Sequence, residues 1–257
     1  MSEQLLRQYL KTKYLGRKIY WFNSIDSTNL KAKELANNGA AHGTIVIADE
    51  QTAGRGRMGR SWYSESGKNL TFSIILNPQM NQHYIGALSL YAGLSVTQAL
   101  QQFLQVSPKC KWPNDILIDN KKICGILSES IFKDKDLKAV IIGIGLNVNQ
   151  TIFPGDLNRT ATSLALASGR EFNRFEVLAK VLQRLETNYK IIQKGLLENI
   201  LEKWKRFSPM FEKETLVSQN ENNIRGIAVG LDLDGGLILQ TENGKKKIIA
   251  GEVTLCC

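Results

Sequence analysis

The chain has 257 residues, 43% of them hydrophobic, with 33 basic against 24 acidic side chains and a formal net charge of +9. That length builds one large domain or a large and a small one. No stretch has the apolar length of a membrane span or the centre of a secretory signal, which favours a cytoplasmic location. Four cysteines without a CxxC pair and only two histidines argue against zinc. Cys256-Cys257 reads as a plain chain end rather than a lipidation signal. The positive balance points to nucleic acid or to another acidic macromolecule.

In chain order, Lys18 to Asn23 reads as a strand, and Asp26-Ser27-Thr28-Asn29 supplies four capping residues before a helix from Leu30 to Asn37. One cap needs one such residue, so the surplus either forms a turn or lines a small polar ligand at the helix N-terminus. A strand from Thr44 to Ala48 leads to AGRGRMGRSW, residues 53–62, where Gly54, Gly56 and Gly59 meet the spacing G-x-G-x-x-G. A dinucleotide turn is rejected because no helical pattern follows and no acidic residue stands about 20 positions on. What remains is a loop of about twenty residues carrying Arg55, Arg57 and Arg60. Its composition predicts mobility, and it reads either as a solvated basic loop or as a lid over an anion.

Asn69 to Leu76 is the next expected strand. Ile85 to Phe103 repeats as a long helix with Leu88, Tyr91, Ala92, Val96, Ala99 and Leu100 inside. Asp115 to Ile118, Ile123 to Ser128 and Leu137 to Val148 then read as three antiparallel strands, with a tight turn at Asp119-Asn120. The polar cluster Lys111-Trp112-Pro113-Asn114-Asp115 enters the first of them. A regular hairpin sets Asp115 opposite Cys124 and Leu117 opposite Lys122, leaving Asp115 and Lys122 as diagonal neighbours roughly 7–8 Å apart. Lys122 then shares a face with Cys124 and Ile126, bordering a buried surface. In VIIGIGLNVN, Ile142, Ile144, Leu146 and Val148 form one face and Gly143, Gly145, Asn147 and Asn149 the other, where a polar ligand or a crossing helix approaches the backbone.

Two helices, Phe175 to Ile192 and Leu196 to Phe207, precede a boundary at Pro209. Beyond it Thr215 to Ser218, Arg225 to Leu231, Leu237 to Thr241 and Lys247 to Thr254 alternate with turns at Glu221-Asn222-Asn223, Asp234-Gly235-Gly236 and Asn243-Gly244, the pattern of a small β-barrel. Neither histidine sits in a triad setting, and no G-x-S-x-G elbow or G-x-x-x-x-G-K-[ST] loop occurs.

Taken together, Ser27-Thr28-Asn29, GRGRMGR, KWPND, KICGILSE and GIGLNVN, in this order and before a small barrel, strongly resemble the biotin protein ligases. The resemblance implies an α/β fold with a catalytic core like that of class II aminoacyl-tRNA synthetases over residues 1–208 and an SH3-like barrel over 209–257. It implies that biotin's carboxylate attacks the α-phosphate of Mg-ATP, and that a lysine of a biotin carboxyl carrier protein or domain then attacks the biotinyl-5′-adenylate. On the same resemblance Ser27, Thr28, Asn29 and Gln51 surround the ureido ring and Trp62 walls it. Arg55, Gly56 and Arg57 cover the adenylate, with Arg60 beside them.

The resemblance further implies that Lys122 stabilises the reacting carboxylate and phosphate. By the same resemblance Asn114, Asp115 and Asn147 are expected on the nucleotide side, with Asp115 orienting metal or the incoming amine. Lys111 and Gly125 complete the ligand-binding set, with Lys122, Arg57 and Asp115 as the catalytic residues. Biotin, ATP and Mg2+ are the expected small molecules, with no residues dedicated to holding a metal. Met58 stands where many relatives carry another arginine, and is expected to pack. The DNA-binding domain of some relatives is absent, so specific DNA binding is not expected. No membrane partner is expected, and exposed sheet edges leave a homodimer open. The rivals are a lipoate or octanoate ligase of the same fold and a non-catalytic binding module for biotin or nucleic acid.

Overall fold

A seven-stranded mixed sheet forms the larger part of the computed structural model, which describes residues 2–219 and 222–255. Glu221 of the expected turn and the Cys256-Cys257 end lie outside the described residues. After a short helix α1 (Ser2–Tyr9), β1 (Ile19–Ile25) runs into α2 (Thr28–Asn37) and β2 (Ile45–Gln51). The helix is the crossover that lets β1 and β2 pair in parallel. The remaining pairs are antiparallel: β2 with β3 (Leu70–Leu76), β3 with β7 (Asp136–Leu146), β7 with β6 (Lys121–Lys133), β6 with β5 (Asp115–Ile118), and β5 with β4 (Lys109–Lys111).

All seven residues of β3 are buried, as its nearly continuous apolar run requires of a central strand. One face of the sheet packs on α3 (Ala87–Leu100), α6 (Arg174–Gln193) and α7 (Leu197–Arg206), forming the main core. Twelve of the fourteen α3 residues are buried, so the expected inner stripe is only part of what it hides. The other face holds a smaller cluster in which Ala32 and Ala36 of α2 meet Val46, Ile75 and Ile141. Short helices α4 (Leu157–Thr160) and α5 (Leu164–Ser168) link β7 to α6. Helices α1, α4 and α5 and strand β4 escaped the sequence patterns because each is at most eight residues long and held by tertiary contacts.

The C-terminal strands β8 (Glu214–Gln219), β9 (Asn222–Leu231), β10 (Leu237–Thr241), β11 (Gly244–Ile248) and β12 (Glu252–Leu255) form a five-stranded antiparallel sheet in the order β11-β10-β9-β8-β12. The single strand expected over Lys247 to Thr254 is therefore two: β11 pairs with β10, and β12 crosses to pair with β8 on the opposite edge. Gly251, at φ 145°, makes that crossing where an added Cβ would lie 2.7 Å from Val217 Cγ1 and 3.0 Å from the Ser218 carbonyl. The two sheets are tied together where Trp112 Nε1 donates to the Gly235 carbonyl at 2.9 Å.

Candidate functional site

The polar ends of these elements converge on one cleft of about 440 Å³. The residues that the resemblance implicates all line it: Ser27, Thr28, Asn29, Gln51, Arg55, Gly56, Arg57, Arg60, Trp62, Lys111, Asn114, Asp115, Lys122, Gly125 and Asn147; Asn149, expected on the same face of the glycine strand, instead bonds the Phe172 backbone.

At one end, α2 begins two residues earlier than expected, with Ser27 as the N-cap accepting from the Leu30 N–H. Thr28 and Asn29 thus sit in the first turn, nearly buried at 4% and 5% exposure, with their side chains free of capping duty. Gln51 Oε1 takes the Thr28 backbone N–H at 2.8 Å and lies 3.0 Å from Thr28 Oγ1. Gly143 makes space for Asn29, because a Cβ there would fall inside its amide group. Gly145 does the same for the Trp62 indole, whose buried Nε1 has no hydrogen-bond partner among the described residues. The glycine face of β7 therefore receives both a helix-borne amide and an aromatic ring, and the cleft runs along it.

The arginine-glycine segment, whose composition gave no strand signal, is folded back on itself. Arg55 and Ser61 bridge antiparallel, the Gly56 N–H donates to the Arg60 carbonyl at 2.7 Å, and the Trp62 N–H donates to the Gly54 carbonyl at 2.9 Å. These contacts close a hairpin over the cleft. Gly54 is needed because a Cβ would run into the Trp62 carbonyl, and Gly59 turns the tip at φ 73°. Met58 occupies the tip at φ 55° with 65% exposure, so it does not pack as expected. Arg57 points inward, donating to Asn114 Oδ1 at 3.2 Å. Burial lowers its guanidinium pKa and the neighbouring Asp115 carboxylate offsets part of that effect. Arg60 turns instead toward the C-terminal sheet and pairs with Glu252.

The expected hairpin register fails at one point. A bulge between Ile116 and Leu117 places Asp115 opposite Gly125 and Ile116 opposite Cys124, while Leu117 stays opposite Lys122. The inserted residue shifts the phase of β6, so Lys122 lies over Gly125 rather than on the face of Cys124 and Ile126. An added Cβ at Gly125 would be 3.0 Å from Lys122 Cε. Lys122 Nζ then meets Asp115 Oδ1 at 2.6 Å, not across a 7–8 Å gap. Asn114 is pinned from both sides of its residue, its Nδ2 donating to the Ile126 carbonyl at 2.8 Å and its own carbonyl accepting from the Ile126 N–H at 3.0 Å. Asn147 Nδ2 donates to the Thr162 carbonyl, leaving a buried Oδ1 without a partner among the described residues.

Several lining residues carried no sequence signal: Phe153 and Thr160 in the α4 segment, and Gly251 and Glu252 on the C-terminal sheet. Ser73 and Glu129 stand behind the lining, hydrogen-bonded to Asn29. Glu129 closes the quoted KICGILSE stretch, and its type alone gave no hint of a partner. Cys110 and Cys124 are buried. Burial pushes the Cys110 thiol up to about 12, which removes it from nucleophilic chemistry. Among the described residues no helix is long and apolar enough to cross a membrane, and no group of three or more His, Cys, Asp or Glu side chains is placed to hold a metal ion.

Residues 21–147 match the model of the biotin/lipoate A/B protein ligase family, and residues 212–255 match the biotin protein ligase C terminal domain. The bifunctional ligase/repressor BirA of Bacillus spizizenii is 38% identical over 257 residues, covering 99% of this chain and 79% of its own length. The biotin-[acetyl-CoA-carboxylase] ligase of Paracoccus denitrificans is 31% identical, covering 89% of this chain and 96% of its own. The solved structure of biotin protein ligase from Aquifex aeolicus in complex with biotin and ATP is 36% identical with a TM-score of 0.80, covering 93% of this chain and 99% of that one.

Proposed function

We propose, on the premise that this chain belongs to the biotin protein ligase family, a division of labour among the residues of its cleft. The protein is an ATP-dependent ligase that activates biotin as biotinyl-5′-AMP, releasing pyrophosphate, and transfers it to a lysine of an acceptor protein. The observation that carries the residue roles is the cleft's polarity. An uncharged donor and acceptor pocket at Thr28, Asn29 and Gln51 lies at one end, and a cationic centre at Arg57 and Lys122 lies further along. A neutral ring needs the first and a reacting carboxylate and phosphate need the second.

Lys122 supplies fixed positive charge where negative charge builds on the carboxylate and α-phosphate oxygens. Arg57, carried by the hairpin and braced on Asn114, holds the same oxygens from the opposite side. Arg55 and Gly56 belong to the cover that keeps water from the anhydride. Asp115 holds the Lys122 ammonium before substrate binds. Once Lys122 turns to substrate, Asp115 can accept a proton from the acceptor amine. Mg2+ suits this site as a companion of the triphosphate, since it is commonly bound by one or two carboxylates plus phosphate oxygens. Asp115 is the carboxylate that fits, its Oδ1 being freed when Lys122 leaves their 2.6 Å ion pair for substrate, and the ion would neutralise phosphate charge.

The acceptor is a biotin carboxyl carrier protein or domain. Residues 1–208 form the catalytic unit and 209–257 the C-terminal unit, without specific DNA binding. The test mixes the purified protein with Mg-ATP and biotin, with and without a carrier domain, and follows pyrophosphate and carrier mass. Pyrophosphate with a biotin-sized mass gain supports both half-reactions. Activity with lipoate and a lipoyl carrier instead would move the protein to the sister activity, and no turnover with either would leave a binding module.

A further inference from the structure

The wall that carries Arg57 and Asn114 has a cavity on each side. Arg57, Trp112, Pro113 and Asn114 line the cleft and also a second cavity of about 410 Å³, bounded by the start of α3, by β6 and by the C-terminal sheet. Close packing ordinarily fixes side chains from every direction, but a wall between two cavities depends on discrete tethers. Asn114 is held on Ile126, and the Pro113 carbonyl lies 3.4 Å from Ser89 Oγ. A further tether comes from the other sheet. Trp112, nearly fully buried, donates its indole N–H to the Gly235 carbonyl at 2.9 Å.

That carbonyl belongs to a turn built to hold one shape. Between β9 and β10, the Asp232 N–H donates to the Gly236 carbonyl and the Gly235 N–H to the Asp232 carbonyl, both at 2.8 Å. The Asp234 carboxylate accepts the Gly236 N–H at 2.8 Å, and Lys247 of β11 pairs with Asp232 at 2.7 Å and with Asp234 at 2.8 Å. The turn rests directly on the start of α3. A Cβ added at Gly86 would collide with the Asp234 carbonyl oxygen, and one added at Gly235, which turns at φ 84°, would lie 3.1 Å from the Ala87 Cα.

We infer that this turn of the C-terminal sheet positions the reacting centre: Gly86 and Gly235 seat it on α3, and Trp112 carries its position through Asn114 to Arg57. The inference rests on the biotin ligase reading and deepens it, by giving the C-terminal unit a task in adenylate formation. Trp112, Gly86 and Gly235 are positioning residues, while Arg57 meets the reacting oxygens. Thr28, Asn29 and Gln51 lie outside the second cavity. The turn therefore acts on the chemical step and not on recognition of the ring.

The test is single-turnover pyrophosphate release by the full chain, with biotin and ATP varied separately, for Trp112→Phe, Gly86→Ala, the double variant and Thr215→Ala, each beside its thermal midpoint. Trp112→Phe keeps an aromatic ring and removes the N–H. Gly86 already has helical backbone angles, φ −55° and ψ −33°, so alanine suits the helix start while its methyl group pushes the turn away. Each single variant is expected to lower the maximal rate by about tenfold, the scale of one lost hydrogen bond, with half-saturating biotin within about twofold. The double variant should fall within about twofold of the worse single, because both cut one link. Thr215, buried in β8 and outside the second cavity, serves as the stability control. Thr215→Ala should lower the thermal midpoint and keep the maximal rate within about twofold.

Rates that follow the midpoint in every variant, Thr215→Ala included, would overturn the inference. So would additive losses in the double variant, a rise in half-saturating biotin at an unchanged maximal rate, or wild-type rates from Gly86→Ala. Gly86→Ala leaves the buried indole in place and keeps the inference testable if Trp112→Phe fails to fold. Failure of the biotin reading itself is told apart, because it appears as no biotin-dependent pyrophosphate from the unsubstituted protein.

Discussion

At the scale of single residues, Lys122 and Asp115 show how close a pattern argument comes and where it stops. Their types and proximity followed from the strand reading, but the 2.6 Å pair follows from a bulge that strand alternation does not encode. Lys122 is the only cation among the lining residues of β6 and β7, so its loss leaves no substitute from the floor of the cleft. Lys122→Ala is expected to lower kcat for adenylation by roughly 10²–10³, the scale of one preorganised electrostatic contact, read as biotin-dependent pyrophosphate release. Retention of wild-type turnover would show that Arg57 carries the charge alone. Gly143 and Gly145 were legible as places of close approach. What approaches them, Asn29 and Trp62, is brought by segments more than 80 residues away in the chain.

At the scale of elements, the 54–62 hairpin is where composition said least about the backbone. Glycine and arginine gave no pairing signal, yet cross-strand backbone bonds join both ends of the segment, and those bonds depend on pairing rather than on residue type. Its tip needs two successive left-handed residues, Met58 at φ 55° and Gly59 at φ 73°. A β-branched side chain tolerates that conformation poorly, whereas asparagine adopts it readily. Met58→Ile should therefore loosen the cover and speed the escape and hydrolysis of biotinyl-adenylate in the absence of acceptor, while Met58→Asn should retain it. The measurement is adenylate release from the preloaded protein, and equal rates for the two variants would show that the tip does not set retention.

At the scale of the whole molecule, the N-terminal segment is fastened to α6 by one buried carboxylate. Glu186, 4% exposed, accepts the backbone N–H groups of Lys13, Tyr14 and Leu15 at 2.9–3.2 Å and pairs with Lys190. Burial by itself would raise its pKa, but these donors hold it below the ordinary 4.5. A depressed carboxyl pKa stabilises the fold above the unfolded value and loses that contribution as pH falls through the folded one. Thermal midpoints measured from pH 7 downward should thus fall more steeply below about pH 4.5 in the wild type than in Glu186→Gln. The Gln variant should start less stable near neutrality. Parallel profiles would mean that Glu186 is not the group being titrated.

The sequence by itself determined the strands with strong alternation and the long helices, because hydrophobic period and capping chemistry are local, while most of the candidate cleft residues came from the resemblance of its motifs to the biotin protein ligases. It resolved β5 and β10 to the residue and placed Ser27, Gln51, Arg57 and Lys122 among the candidates. Only the tertiary structure decided the bulge in β6, the closed hairpin, the split of Lys247 to Thr254 between opposite sheet edges, and the link of Glu129 and Ser73 to the ring end. Each of these depends on a partner distant in the chain, and register, crossing and hydrogen-bond polarity are properties of the pair rather than of either residue alone.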